Sequence, residues 1–127
     1  MATTRQFICM KWGKLYGPEY VNRLYAMARA HTTGPIRFVC LTDDRVGIRP
    51  EVECHDCPEV DIPMPYRMRG WRKLSTYARS EKLFGLTGQW LFLDLDVVVL
   101  GSLDDFFTYQ PDKTFVVMRN WTQVKKN

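Results

Sequence analysis

A chain of 127 residues with 46% hydrophobic and 25% charged residues has room for one compact domain with a real core, which excludes a disordered or fibrous polypeptide. No apolar run approaches the ~20 residues of a membrane-spanning helix, and the start Met1-Ala2-Thr3-Thr4-Arg5-Gln6 lacks a signal peptide's apolar stretch, so the cytoplasm is the expected compartment. The formal net charge of +4 points to an anionic partner; nucleic acid, an anionic membrane surface contacted peripherally and a diphosphate all satisfy it.

Gln6 to Met10 reads as a buried strand, a short apolar run ending at Lys11-Trp12-Gly13. Gly17-Pro18-Glu19 then opens a helix, because proline suits the first turn and glutamate the positive end of the helix dipole. Val21, Leu24, Tyr25 and Ala28 keep helical spacing and give that helix a core face, which stops near His31, before Gly34-Pro35. Ile36 to Leu41 is a second buried strand, closed by Thr42-Asp43-Asp44, and a weaker third one lies at Val52-Glu53-Cys54. Cys57 to Gly70 is loop-like, with Pro58, Pro63 and Pro65. Trp71 to Phe84 reads as a helix ended by Gly85 or Gly88. Trp90 to Leu95 is the clearest strand, and Val97 to Leu100 either continues it or begins another. A helical turn at Leu103 to Phe107 and a last strand at Thr114 to Met118 complete the chain. Strands alternating with helices predict a single α/β domain, residues 1–127, with a mostly parallel sheet flanked by helices.

Two features carry less. Cys9 and Cys40 sit inside apolar runs, where a reduced cysteine behaves as a small hydrophobe. Cys54-His55-Asp56-Cys57 has the C-x-x-C spacing of a zinc or redox site, but no second ligand pair follows it and Pro58 argues for a loop. A structural pair is the preferred reading. Arg67, Arg69, Arg72 and Lys73 form the densest basic cluster, either a solvated face or neighbours of a phosphate.

The informative segment is Trp90-Leu91-Phe92-Leu93-Asp94-Leu95-Asp96-Val97-Val98-Val99. Side chains at i and i+2 of an extended chain project to the same side. Asp94 and Asp96 are therefore expected to converge at the carboxyl end of a strand, where open α/β sheets bind ligands. Two crowded carboxylates repel each other, and a divalent ion removes that cost. Hard oxygen ligands favour manganese or magnesium and leave coordination positions for diphosphate oxygens. The plainer alternative is that these aspartates cap a turn or a following helix. A haloacid-dehalogenase-like phosphatase also places D-x-D after a strand, but on the first strand and with later Ser/Thr, Lys and acidic residues for which too little chain follows Asp96.

The match extends beyond two aspartates. Ser75-Thr76-Tyr77-Ala78-Arg79 on a helix, then the Trp90–Val99 segment, then Gly101-Ser102-Leu103-Asp104-Asp105-Phe106-Phe107 resembles glycosyltransferase family 8 and its bacterial relatives, enzymes of the GT-A type. Phe7 to Gly13 with Tyr16-Gly17-Pro18 looks like that family's first strand and base-binding loop, and Leu41-Thr42-Asp43-Asp44 like the end of its second strand. The resemblance implies a Rossmann-like, nucleotide-diphospho-sugar-binding domain and hexosyl transfer from a nucleotide-sugar donor, a UDP-sugar, to an acceptor that stays unidentified. It implies that Asp94 and Asp96 hold manganese or magnesium, with Leu95 between them at the donor. It further implies that Arg79 contacts the nucleotide sugar, and that Lys11, Trp12, Gly13, Tyr16 and Asp43 line the base and ribose site. Lys73 and Arg72 are phosphate neighbours on charge alone.

The sequence also departs from the family, whose members are usually about twice as long. Their second half supplies a histidine metal ligand and the acceptor cleft; His31 and His55 lie upstream of the aspartates and match neither. The expectation is thus an amino-terminal, truncated donor-binding half with no identified catalytic residue, poor in sugar transfer alone and prone to associate as a homodimer. The competing reading is a non-catalytic nucleotide-binding or assembly module left after loss of the acceptor half. Nucleic acid is not expected, because the aromatics are not interleaved with the basic residues as a stacking platform requires.

Overall fold

The computed structural model describes residues 3–59, 61, 63, 73, 76 and 85–119. Its elements run β1 (Arg5–Lys11), α1 (Pro18–Ala30), β2 (Ile36–Thr42), β3 (Glu53–His55), β4 (Trp90–Phe92) and α2 (Asp105–Thr108). The four strands form one sheet in the order β3-β2-β1-β4, and every pairing is parallel. No helix among the described residues is long and apolar enough to cross a membrane.

β1 is the central strand, and its sequence shows why. A strand covered on both faces needs apolar side chains at successive positions, and Phe7, Ile8, Cys9 and Met10 are all buried. Phe7 and Cys9 join Phe38 and Cys40 of β2 in a core beneath α1, while Ile8 and Met10 join Val39, Leu41 and Leu86 on the opposite face. α1 starts at Pro18, has Glu19 in its first turn and Arg29 in its last, and buries Val21, Leu24 and Ala28 on the sheet. His31 ends it, its N–H donating to the Met27 carbonyl at 3.0 Å. The aromatic centre of this core is Phe38, stacked with Phe7 at 6.0 Å and meeting Tyr25 edge-on at 5.6 Å.

After β4 the chain turns back towards the amino ends of the strands. Val97 and Val99 pack against the α1-side core, and the Leu103 N–H donates to the His31 carbonyl at 2.8 Å. Asp104 then accepts from the Thr33 N–H at 2.9 Å and pairs with Arg5, while the Arg5 guanidinium also lies over the Phe107 ring. The Thr33 donors foremost, with Arg5 adding to them, hold the Asp104 carboxyl below its ordinary range. A carboxylate with a lowered folded-state pKa stabilises the fold above its unfolded-state value and loses that contribution as the pH falls through the folded one. The stability advantage of the native chain over Asp104→Asn should therefore be full near neutrality and shrink as the pH drops from about 5 towards about 2, as read by urea unfolding at each pH. A difference independent of pH would mean that the clamp does not act through the charged carboxylate.

Several elements correct the sequence reading. The strand expected over Trp90–Leu95 is three residues long: the ladder with β1 ends one step later, where the Leu93 N–H donates to the Ile8 carbonyl at 3.0 Å. Asp94 and Asp96 therefore lie in a turn rather than on an extended strand, with the Val97 N–H closing on the Asp94 carbonyl at 3.2 Å. Val97 to Leu100 neither continues β4 nor forms another strand. Nor is Thr114 to Met118 a strand: Phe115, Val116, Val117 and Met118 are exposed and join no ladder with β1, β2, β3 or β4, β propensity alone being too weak to form one. The helix expected over Trp71–Phe84 lies outside the described residues except at Lys73 and Thr76. There the Thr76 hydroxyl donates to the Lys73 carbonyl three residues earlier at 2.7 Å, the back-bond of a helical turn.

Candidate functional site

The strand order decides where a ligand can sit. From β1 the chain moves outward to β2 and β3, then returns to β4 on the other side of β1. The loops leaving the carboxyl ends of β1 and β4 consequently diverge, and a crevice at such a switch point is the usual ligand site of an open parallel sheet. Lys11 ends β1 and Trp12, Gly13 and Tyr16 follow it, Asp43 follows β2, and Asp94, Leu95 and Asp96 follow β4, so all of them belong to this one edge. Arg79 lies outside the described residues, as does Arg72.

On the β1 side the loop is fixed by two hydrogen bonds. The Gly13 N–H donates to Asp43 Oδ2 at 3.0 Å, and Gly13 holds a φ of +68°, a left-handed conformation in which a side chain is strained. Lys11 is 4% exposed, yet its ammonium reaches the main-chain oxygen of Asp44 at 3.3 Å. The same oxygen accepts from the Thr42 hydroxyl at 2.9 Å, and that hydroxyl accepts from the Asp44 N–H at 3.1 Å. The Asp44 carboxylate in turn caps the Val46 N–H at 3.0 Å. Thr42-Asp43-Asp44 is thereby a self-bonded turn that leaves the Asp43 carboxylate exposed beside Gly13. Trp12 and Tyr16 are both half-buried but on different sides: Trp12 packs against the core away from α1, and Tyr16 packs edge-on to Tyr20 at 4.8 Å on the α1 side.

On the β4 side the two-residue alternation survives into the turn. Leu93 and Leu95 enter the α1-side core, whereas Asp94 and Asp96 are exposed. Leu95 accordingly offers a ligand only its backbone. Asp94 is engaged: its Oδ1 accepts from the Lys73 ammonium, which also lies 5.6 Å from the centre of the Phe92 ring. The side chains of this pair are 39% and 49% exposed, so it is a surface ion pair, worth ~0–1 kcal/mol.

Do these residues suit a divalent ion? Among the described residues no group of three His, Cys, Asp or Glu side chains converges to hold one. Asp94 and Asp96 would supply only part of a coordination shell; magnesium-like ions can take one or two carboxylates and complete the shell with water and substrate phosphates. The ammonium seated on Asp94 marks a position that accepts positive charge. The donor set fits.

The lysine–aspartate contact, the Arg5–Asp104 clamp and a row of thiols have no signal in the sequence. Register pairs Cys9 with Cys40 and Cys40 with Cys54, so three cysteines stand side by side across β1, β2 and β3 and all join the α1-side core. Hydrogen bonding to Cys40 and then burial push the Cys9 thiol up, and burial does the same for Cys54, which leaves both as poor nucleophiles. Cys57 packs with the other core, so the C-x-x-C pair divides between the two.

The chain matches no known protein family, no curated protein and no solved structure.

Proposed function

We propose that this chain is a GT-A-type, Rossmann-like nucleotide-sugar-binding domain of a glycosyltransferase, of the kind found in glycosyltransferase family 8. In this reading it takes a UDP-sugar through manganese or magnesium held by Asp94 and Asp96. The observation that carries the proposal is the exposed carboxylate pair at the carboxyl end of β4, across the switch point from the β1 loop. The sequence resemblance suggests the chemistry, and the strand order, which reverses between β1 and β4, supports the location.

The residues divide the work along the edge. Asp43, Gly13, Tyr16 and Trp12 would receive the base and ribose, with Lys11 and the Asp44 carbonyl bracing the loop from below. Lys73 and Arg79 would meet the diphosphate, a guanidinium being able to give it two parallel hydrogen bonds. A divalent ion here would offset the charge that builds on a departing diphosphate.

Titration calorimetry with UDP tests the proposal. Binding should be clear with manganese and at least about tenfold weaker in EDTA, a difference of about 1.4 kcal/mol. Equal affinity in the two conditions would reject the metal-dependent reading.

A further inference from the structure

We infer that Lys73 is a built-in counter-ion for Asp94 that metal must displace and that the donor's diphosphate then takes up, which couples the binding of the two. The inference rests on the metal reading of Asp94 and Asp96 and adds a regulatory role at that site.

The argument begins with the charge balance. Two carboxylates two residues apart, with no cation, repel each other. The Lys73 ammonium answers that by bonding Asp94 Oδ1, while the Phe92 ring beneath it favours a cation at the same place. The lysine backbone is braced by the Thr76 hydroxyl, so the ammonium approaches from a defined origin on a flexible stem. A single positive charge offsets only one carboxylate, and Asp96 has no ion-pair or hydrogen-bond partner of its own among the described residues. A divalent ion coordinated by Asp94 must therefore compete with the ammonium for the same oxygen and, once bound, repels it. The displaced ammonium needs another anion within the sweep of its side chain. A diphosphate coordinated to that ion provides one.

It follows that metal alone binds weakly, because it evicts a lysine into water, whereas metal and diphosphate together bind well. Such coupling is reciprocal: each ligand raises the affinity of the other by the same factor.

The test uses manganese chloride alone and then with UDP, following free manganese by its electron paramagnetic resonance signal. The proteins are the native chain, Lys73→Met, Lys73→Gln, Lys73→Arg and Asp96→Asn. Removing the charge should tighten manganese binding without nucleotide by roughly three- to tenfold, the scale of one unit-charge repulsion at close range in solvent. UDP should then improve manganese binding less in Lys73→Met and Lys73→Gln than in the native chain. Lys73→Arg, which keeps the charge, should bind manganese alone as the native chain does. If both neutral variants bind manganese no more tightly while Asp96→Asn loses it, the lysine inference is overturned and the metal site stands. If Asp96→Asn binds manganese as well as the native chain, or neither the native chain nor the neutral variants bind it, the metal reading falls and the inference with it.

Discussion

Phe38→Ala should lower stability by about 3–5 kcal/mol, the range for removing a buried aromatic ring from a close-packed core. Phe38 is 2% exposed on β2 and is the ring on which two others lean, Phe7 from the central strand and Tyr25 from α1. Its removal therefore loses contacts to the sheet and to the helix at once, and neither neighbour can shift into the space without leaving its own place. In a two-state thermal unfolding experiment the midpoint should fall by roughly 10–20 °C for a chain of this size. Leu15→Ala is the control, because Leu15 is 84% exposed in the loop after β1 and should change stability by no more than about 0.5 kcal/mol. A loss below about 1 kcal/mol for Phe38→Ala would contradict the packing described for this core.

If the proposed metal reading holds, Asp96→Asn should leave the folded state intact and remove most of the benefit that manganese would bring to UDP binding. Asp96 is exposed in the turn after β4 and is not part of the core, so the thermal midpoint without ligand should stay where it is. The amide keeps size and shape but loses the negative charge, leaving the ion one carboxylate on a site that had only two among the described residues. Manganese-dependent UDP affinity should drop about tenfold or more, equal to at least about 1.4 kcal/mol. UDP affinity measured in EDTA should barely move. If affinity falls equally in EDTA and in manganese, Asp96 touches the nucleotide directly and is not a metal ligand.

The parts legible in the sequence are those whose causes are local. Gly17-Pro18-Glu19 and the spacing of Val21, Leu24 and Ala28 state a helix start and a helix face within one segment, and α1 forms there. The apolar runs of β1 and β2 announce strands covered on both faces. Where the reading went too far, a local pattern had a different cause. Leu93 and Leu95 alternate with Asp94 and Asp96 as a strand would, but a turn that tucks two leucines under α1 produces the same alternation. Thr114 to Met118 has the composition of a strand, and composition cannot supply an edge to pair with. Contacts that join distant segments left no trace: the Cys9–Cys40–Cys54 row depends on register, and the Lys73–Asp94 pair joins residues 21 apart in the chain. For the site, D-x-D was visible as a motif, and its position next to the reversal in strand order became visible only through the fold.

That order also sets a timetable for folding. β1 meets β2 through the short α1 connection, but it meets β4 only across a much greater separation along the chain. Longer closures cost more entropy before any contact rewards them, so pairings between distant segments tend to form late. On a ribosome, β1, α1 and β2 would emerge and assemble while the strand carrying the aspartates is still being made. Pulse-labelled hydrogen exchange during refolding should then protect the amides of Cys9 and Val39, which face each other's strand, before that of Leu93, which donates to Ile8 across the β1–β4 pairing. Simultaneous protection would mean that the sheet closes in one step. If protection comes in the expected order, the edge that carries the two aspartates is the last part of the molecule to exist, and an unfinished chain carries a core before it carries its proposed site.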